Sequence, residues 1–226
     1  MLPLRAVLFD VGYGLLDEGP RLAHALGTLA ADAGLQGVPR ARLEACYEAA
    51  CAEPGHGSLL VQALEAAGVP SPDAAAARQR LAWDAVPLEA YPDTLATLDR
   101  LRARGLQLGV LANQPASARA DLERLGVCAR TRDTWLSEEA GRSKPDPAFF
   151  RMALLRWGLS APQVAYVGDR PDHDIGPARA LGMRTVRLLQ GPHARMRARA
   201  GEHAHAEAPT LSRAADVLLG WAGAPR

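Results

Sequence analysis

Near its amino terminus the chain carries the segment that says most about its architecture, Ala6-Val7-Leu8-Phe9-Asp10-Val11-Gly12-Tyr13-Gly14-Leu15-Leu16-Asp17. Residues 6–9 form a continuous apolar run that ends at an aspartate and a glycine-containing loop. Such a run fits a strand covered on both faces, because a half-exposed strand would alternate apolar and polar residues. The segment therefore predicts an inner strand with Asp10 at its carboxyl end.

Three later runs have the same character, residues 106–112, 164–167 and 183–189. Segments of helical length separate them. This alternation of strand and helix is typical of parallel sheets, whose crossover connections are right-handed. The sequence thus predicts an α/β fold built on a doubly wound, Rossmann-like parallel sheet.

A different pattern fills residues 19–87, where alanine- and leucine-rich helical patterns are interrupted by glycine and proline, without a strand signal. We predict about four short helices that pack on one another and lie over the sheet as a cap. The α/β core domain would then comprise residues 1–18 and 88–226, with the all-helical cap domain, residues 19–87, inserted after the first strand.

The charge and cysteine composition limits the kinds of partner that the chain is expected to bind. The chain has 26 lysine and arginine residues against 25 acidic ones, and this balance gives no general attraction for nucleic acid or anionic membranes. Its three cysteines lack the spacing of a disulfide framework or a zinc site. Neither a signal peptide nor an apolar stretch of membrane-spanning length is evident. We expect a cytoplasmic protein that binds a small molecule, and the sequence leaves its oligomeric state open.

Polar residues follow the predicted strands. In an open parallel sheet, ligands bind beyond the carboxyl ends of the strands, so the side chains at these points are the candidates for chemistry. They are Asp10, Asn113, Lys144 before a later helix, Asp169 and Asp174. Asp174 has an alternative role, since an aspartate at that position could simply cap the helix that follows.

These segments resemble the four motifs of the haloacid dehalogenase superfamily. Phe9-Asp10-Val11 through Leu15-Leu16-Asp17 is similar to the first motif, which usually reads Asp-x-Asp-Gly-Thr. The segment Leu108 to Asn113 resembles the second motif, and Lys144-Pro145-Asp146-Pro147 resembles the third. The segment Val167 to Ile175 resembles the fourth. The order is right along the whole chain, and a helical insert after motif one is the superfamily's C1 cap arrangement. The chain is therefore identified as resembling the C1-capped, phosphatase-type branch, with a degenerate first motif.

The resemblance implies a magnesium-dependent phosphatase that acts on a small phosphorylated metabolite through an aspartyl-phosphate at Asp10. A carboxylate nucleophile beside a hard cation suits phosphoryl transfer, in which negative charge must be stabilised. The implied catalytic residues are Asp10, Asn113 and Lys144, of which Asn113 and Lys144 would bind the phosphate. The implied Mg²⁺ ligands are Asp10, the backbone carbonyl of Gly12, Asp169 and Asp174.

The first motif departs from the superfamily pattern. Gly12 stands where a typical phosphatase has a second aspartate, the group that protonates the leaving alcohol, and Tyr13 and Gly14 are further departures. In the second motif, Ala112 replaces the usual serine or threonine. Loss of a general acid costs about 10²–10⁴-fold in rate, unless another donor substitutes. Candidate substitutes are the Tyr13 hydroxyl, Asp17 or a residue of the cap.

Two other functions stay open on the sequence. A catalytically weak or inactive member would serve as a binding or interaction module. A 2-haloacid dehalogenase would need no proton for the departing halide, although Asp169 and Asp174 of the fourth motif favour a metal-dependent enzyme. The histidines outside the motifs have no ligand spacing and are predicted to be solvated: His24, His56, His193, His203 and His205.

Overall fold

The computed structural model describes residues 2–32, 38–53 and 58–223. Its centre is a six-stranded sheet in which every neighbouring pair is parallel, in the order β5-β4-β1-β6-β7-β8. These strands are β1 Ala6–Phe9, β4 Gln107–Ala112, β5 Asp133–Leu136, β6 Val164–Gly168, β7 Arg184–Leu188 and β8 Ala206–Ala208. The predicted parallel α/β sheet is confirmed, with the four predicted strands at its centre.

The first strand is buried on both faces, as its uninterrupted apolar run predicts. Val7 and Phe9 join the apolar cluster on one face of the sheet, and Ala6 and Leu8 join the cluster on the other. Because β1 lies between β4 and β6, Asp10 lies at the middle of the carboxyl edge of the sheet.

Helices cover both faces of this sheet, which makes it doubly wound. On the face of Val7 lie α5 Thr94–Ala103, α6 Ala118–Arg124 and α10 Leu211–Ala222. On the opposite face lie α8 Pro147–Trp157 and α9 Gly176–Ala180, and the short α7 Ser137–Ala140 follows β5.

The described residues of the segment for which a helical insert is predicted, 19–32, 38–53 and 58–87, contain four helices. They are α1 Gly19–Ala30, α2 Arg40–Ala52, α3 Leu59–Ala66 and α4 Ser71–Arg80. Their buried side chains form an apolar cluster of their own, separate from the two clusters of the sheet. The chain leaves and re-enters the α/β part through a small antiparallel pair, β2 Leu16–Asp17 with β3 Glu89–Ala90. Among the described residues, no helix is both long and apolar enough to cross a membrane.

A partly buried ion pair ties the helical segment to the α/β part. The Arg21 guanidinium in α1 donates from Nη2 to Asp121 Oδ2 at 2.8 Å and from Nε to the carbonyl of Val86 at 2.6 Å. Asp121 also accepts hydrogen bonds from Arg124 and from the backbone N–H of Leu88. The arginine therefore connects α1 of the helical segment to α6 of the α/β part.

Replacing Arg21 with methionine should lower the free energy of unfolding by about 2–3 kcal/mol, because the partly buried Asp121 and the Val86 carbonyl both lose a charged hydrogen-bond donor. The loss should fall below the usual range for a broken buried pair, since Asp121 keeps Arg124 and Leu88 as partners. Urea titration measures the change. The matched control is Arg100→Met, which breaks an exposed pair with Asp216 and should cost less than about 1 kcal/mol. Equal losses in the two variants would contradict a structural role for Arg21.

Candidate active site

The carboxyl ends of the central strands meet at one cavity of about 340 Å³. Asp10 follows β1, Asn113 follows β4 and Asp169 follows β6, and all three line this cavity. Lys144 reaches it from the loop between α7 and α8. Asp174, from the turn after β6, lies behind them. The structure thus brings together all five side chains singled out in the sequence.

Lys144 is the centre of the site. Its ammonium donates to Asp10 Oδ1 and to Asp174 Oδ1, both at 2.6 Å, and lies 3.0 Å from the hydroxyl of Tyr166. Burial opposes its charge, but attraction to the two carboxylates outweighs this and raises the pKa of Lys144. The residue is also the only lysine of the chain, in which the other 25 basic residues are arginines.

Hydrogen bonds to the backbone of Lys144 fix its position. The side chain of Asn113 accepts from the N–H of Lys144 at 2.7 Å and donates to its carbonyl at 2.8 Å. Next to it, the Tyr166 hydroxyl donates to the carbonyl of Leu111 at 2.7 Å. Asp146 caps the start of α8 by accepting from the N–H of Ala148. These contacts hold the ammonium between its two carboxylates.

Three buried carboxylates form an acidic cluster. One oxygen from each of Asp10, Asp169 and Asp174 lies within 4.8 Å of the others. Burial raises the pKa of Asp10, and repulsion by the other two adds to this, while Lys144 partly offsets it. Convergent carboxylate oxygens are the donors that a hard divalent cation prefers, so the residues present fit a magnesium ion.

Asp174 does not cap a helix. The helix that follows, α9, begins at Gly176 and has Ile175 as its N-cap residue. Asp174 lies inside a π-helical turn, Pro171–Ile175, where its Oδ2 accepts from the N–H of Arg170 at 2.9 Å. The alternative helix-capping role is therefore wrong, and the carboxylate faces Lys144 instead.

His193 is part of the site, which corrects the prediction that it is solvated. It is buried, and its Nδ1 lies 2.7 Å from Asp169 Oδ2. Burial lowers the pKa of His193, but attraction to Asp169 outweighs this and raises it to about 10. No spacing rule reveals this pair, because the two residues stand 24 positions apart and meet through β7 and the turn that follows it.

The predictions for the other histidines have mixed outcomes. His24 and His203 are exposed, as predicted, and so is His205, which also contacts Thr185. His56 lies outside the described residues.

Sequence reasoning also missed Glu18. Its carboxyl group lines the cavity, and Gln114 Nε2 donates to its Oε1 at 2.5 Å. Burial raises the pKa of Glu18, and this effect exceeds the lowering by the Gln114 hydrogen bond. The glycine at position 12 is the sequence feature that could have indicated this role of Glu18. Because residue 12 has no side chain, it leaves room for a group from elsewhere in the chain. Asp17, a candidate substitute for the missing aspartate, instead accepts from the N–H of Gly19.

The loop after Asp10 has an unusual conformation. Tyr13 adopts a φ of 51°, in the left-handed region that most residues with side chains avoid. Gly14 lies against the backbone of Asp10, since a Cβ there would come within 2.5 Å of the Asp10 carbonyl oxygen. The Tyr13 ring packs over Gly191 and edge-on to His193. The departures from the usual motif thus accompany a tightly packed turn.

The helical segment supplies the other wall of the cavity. Arg78 lies 5.6 Å from the ring centroid of Trp83, a geometry typical of a cation–π contact. These two residues line the cavity together with Tyr47, Ser58, Leu59 and Leu60. The space is therefore enclosed between the acidic edge of the sheet and a mixed polar and aromatic surface.

Comparison with known proteins gives a consistent result. The sequence profile of haloacid dehalogenase-like hydrolases matches residues 4–182. A glyceraldehyde 3-phosphate phosphatase of Methanopyrus kandleri is 34% identical over 206 residues, which cover 87% of this chain and 88% of that protein. A protein of the same name from Methanocaldococcus jannaschii is 46% identical over 107 residues, and there the match spans less than half, 47%, of either chain.

Solved structures share the fold. A predicted phosphoglycolate phosphatase from Haemophilus somnus superimposes with a TM-score of 0.71 at 19% identity, covering 96% of this chain and 99% of the other. A 2-haloacid dehalogenase from Pseudomonas syringae pv. tomato gives a TM-score of 0.62 at 27% identity, with 96% and 99% covered.

Proposed function

The chain belongs to the haloacid dehalogenase-like hydrolase family, and from this premise we propose that it is a phosphatase of small phosphorylated metabolites. One observation carries the proposal. A single buried ammonium, that of Lys144, joins Asp10 to Asp174 beside a third carboxylate, Asp169, at the floor of a metabolite-sized cavity. Two relatives are named for the removal of phosphate from glyceraldehyde 3-phosphate, which makes a compact phosphorylated substrate the best-supported class.

In this proposal Asp10 attacks phosphorus and carries the phosphoryl group as an aspartyl-phosphate. Lys144 holds the Asp10 carboxylate through one oxygen, which leaves the other free to point into the cavity. The same ammonium would stabilise the phosphoryl oxygens as their charge grows. Asn113 fixes the lysine through both ends of its amide, and one amide N–H remains to donate to the phosphate.

We propose that Asp10, Asp169, Asp174 and the backbone carbonyl of Gly12 hold a Mg²⁺ ion. When bound, the ion would draw charge from the phosphoryl oxygens and orient them toward the nucleophile. Asp174 already accepts from Lys144 and from the N–H of Arg170, so it would contribute a remaining lone pair. His193 would hold the Asp169 carboxylate in orientation.

We propose that residues 19–87 form a cap domain that selects the substrate. The cation–π pair of Arg78 and Trp83 places a positive charge opposite the acidic floor, where it suits the anionic or polar end of a metabolite. Closure of such a cap would exclude water from the reacting phosphate.

The deciding experiment measures phosphate release from p-nitrophenyl phosphate and from glyceraldehyde 3-phosphate, with Mg²⁺ and with EDTA. We expect turnover that requires Mg²⁺. Chloride release from 2-chloropropionate without metal would instead identify a dehalogenase, and the absence of both activities would favour a binding module. Either outcome would overturn the proposal.

Metal binding gives a separate prediction. Replacing Asp169 with asparagine removes a charged oxygen ligand, so the Mg²⁺ dissociation constant measured by calorimetry should rise by about 10–100-fold or more. Asp216→Asn, on the exposed side of α10, is the matched control and should leave the constant unchanged. Undiminished Mg²⁺ binding by the Asp169 variant would remove this residue from the ligand set.

A further inference from the structure

Cleavage of an alkyl phosphate requires a proton at the departing oxygen, because an alkoxide is a very poor leaving group. The cavity is lined by three carboxyl groups that could deliver one, those of Asp10, Glu18 and Asp169. Asp10 is the proposed nucleophile, and Asp169 is paired with His193 within the acidic cluster. Glu18 is the carboxyl group that remains.

The position of Glu18 is set by the absence of a side chain at residue 12. A Cβ added to Gly12 would lie 2.7–2.8 Å from the carboxyl carbon and both carboxyl oxygens of Glu18. The glutamate therefore fills the volume that a residue two positions after the nucleophile would use. It reaches this place from the start of α1, six residues further along the chain.

One hydrogen bond orients this carboxyl group. Gln114, itself buried, donates from Nε2 to Glu18 Oε1, and it directly follows Asn113, which fixes Lys144. Within the described part of the chain, no other hydrogen bond to the Glu18 carboxyl group is found. The two consecutive residues after β4 thus fix the backbone of Lys144 and the carboxyl group of Glu18, and both of these residues line the cavity.

Resting on the phosphatase function proposed above, we propose that Glu18 is the proton donor and acceptor of the reaction. An Asp10 oxygen bonds to phosphorus as the bond to the leaving oxygen breaks, and that oxygen takes the bonding electrons and the Glu18 proton to become an alcohol. Water then attacks phosphorus and gives a proton to the Glu18 carboxylate. The bond between phosphorus and Asp10 breaks, its electrons return to Asp10, and inorganic phosphate leaves.

The test compares Glu18→Gln with wild type on two esters, glycerol 3-phosphate and p-nitrophenyl phosphate. Glutamine keeps the shape and can still pair with Gln114, but it cannot supply the proton. The fall in kcat/KM for the alkyl ester should exceed the fall for the aryl ester by about 10²-fold or more, since p-nitrophenolate departs without a proton. Glu65→Gln, exposed on α3, is the matched control and should lose nothing.

A second variant tests the position rather than the residue. The double substitution Gly12→Asp with Glu18→Ala moves the carboxyl group to residue 12. It also removes the Glu18 carboxyl group, with which a side chain at residue 12 would clash. It should regain at least 10-fold of the alkyl-ester activity lost in Glu18→Ala, whereas Gly12→Asp alone should not gain activity.

The outcomes separate this inference from the function on which it rests. Equal losses for both esters, or no loss for either, would overturn the role of Glu18 while leaving the phosphatase function intact. So would a wild-type protein that hydrolyses p-nitrophenyl phosphate and no alkyl phosphate. A wild-type protein that hydrolyses no phosphate ester would overturn both.

Discussion

Replacing Asp10 with asparagine should abolish phosphate release, with a fall in kcat of roughly 10³-fold or more, because the amide oxygen is a far weaker nucleophile than a carboxylate. The folded structure should survive. Asparagine has the same shape, and it removes one negative charge from a cluster in which Asp10, Asp169 and Asp174 repel one another. Steady-state phosphate release, with circular dichroism to verify folding, measures the effect.

Asp216→Asn, an equivalent substitution on an exposed ion pair, controls for loss of a carboxylate elsewhere and should retain wild-type turnover. If Asp10→Asn were as active as this control, the phosphatase reaction would not pass through Asp10.

Substituting Lys144 should have the largest combined effect on activity and stability. In Lys144→Met the buried carboxylates of Asp10 and Asp174 lose their shared cation, which should lower the free energy of unfolding by about 3–5 kcal/mol. The fall in kcat should reach about 10²-fold or more, since the group that stabilises the phosphoryl charge is gone. Lys144→Arg keeps the charge, but a planar guanidinium cannot replace the compact ammonium between two oxygens at 2.6 Å, so its activity should remain low as well.

The stability deficit of Lys144→Met should depend on pH. Loss of the ammonium removes the main interaction that offsets burial, so the pKa of Asp10, already raised to about 7, should rise further in the folded variant. A raised pKa gives stability that is lost as the pH rises through it. Wild type loses this contribution up to about pH 7 and the variant goes on losing it above that pH, so the deficit should grow between about pH 7 and pH 9. Urea titrations in EDTA measure it. A deficit that is constant over this range would contradict a cation shared by two carboxylates.

The single lysine of the chain offers a direct observation of the same pair. Isotopic labelling of lysine side chains produces one side-chain NMR signal, which reports the charge of Lys144 alone. Because the pKa of this ammonium is raised, the signal should stay in its charged position to a higher pH than that of free lysine.

The centre of the fold could be predicted from sequence because a parallel strand buried on both faces is encoded by a continuous apolar run. The run at residues 6–9 has no polar residue, and its side chains pack alternately on the two faces. Asp10, Asn113 and Asp169 could be brought together in advance, because the carboxyl ends of neighbouring parallel strands lie at one edge.

The edges of the sheet could not be predicted in this way. Asp133–Leu136 and Ala206–Ala208 are short and only partly buried, so neither carries a continuous apolar run. Their pairing with β4 and β7 depends on contacts with strands already in place.

Two members of the site were hidden for a related reason. His193 meets Asp169 across 24 residues, and Glu18 fills a volume defined by what Gly12 lacks. The position of each side chain is set by packing in three dimensions, which the spacing of residues along the chain cannot predict. The buried environments that shift the pKa values of Glu18 and His193 are likewise properties of the folded chain.

Mass spectrometry of the protein, quenched with acid during turnover of p-nitrophenyl phosphate with Mg²⁺, tests most directly whether the reaction passes through a covalent intermediate on Asp10. We expect a peptide that contains Asp10 and carries the added mass of one phosphoryl group, and this adduct should be missing from Asp10→Asn. Phosphate release without any such adduct, or an adduct on a different residue, would contradict an aspartyl-phosphate at Asp10.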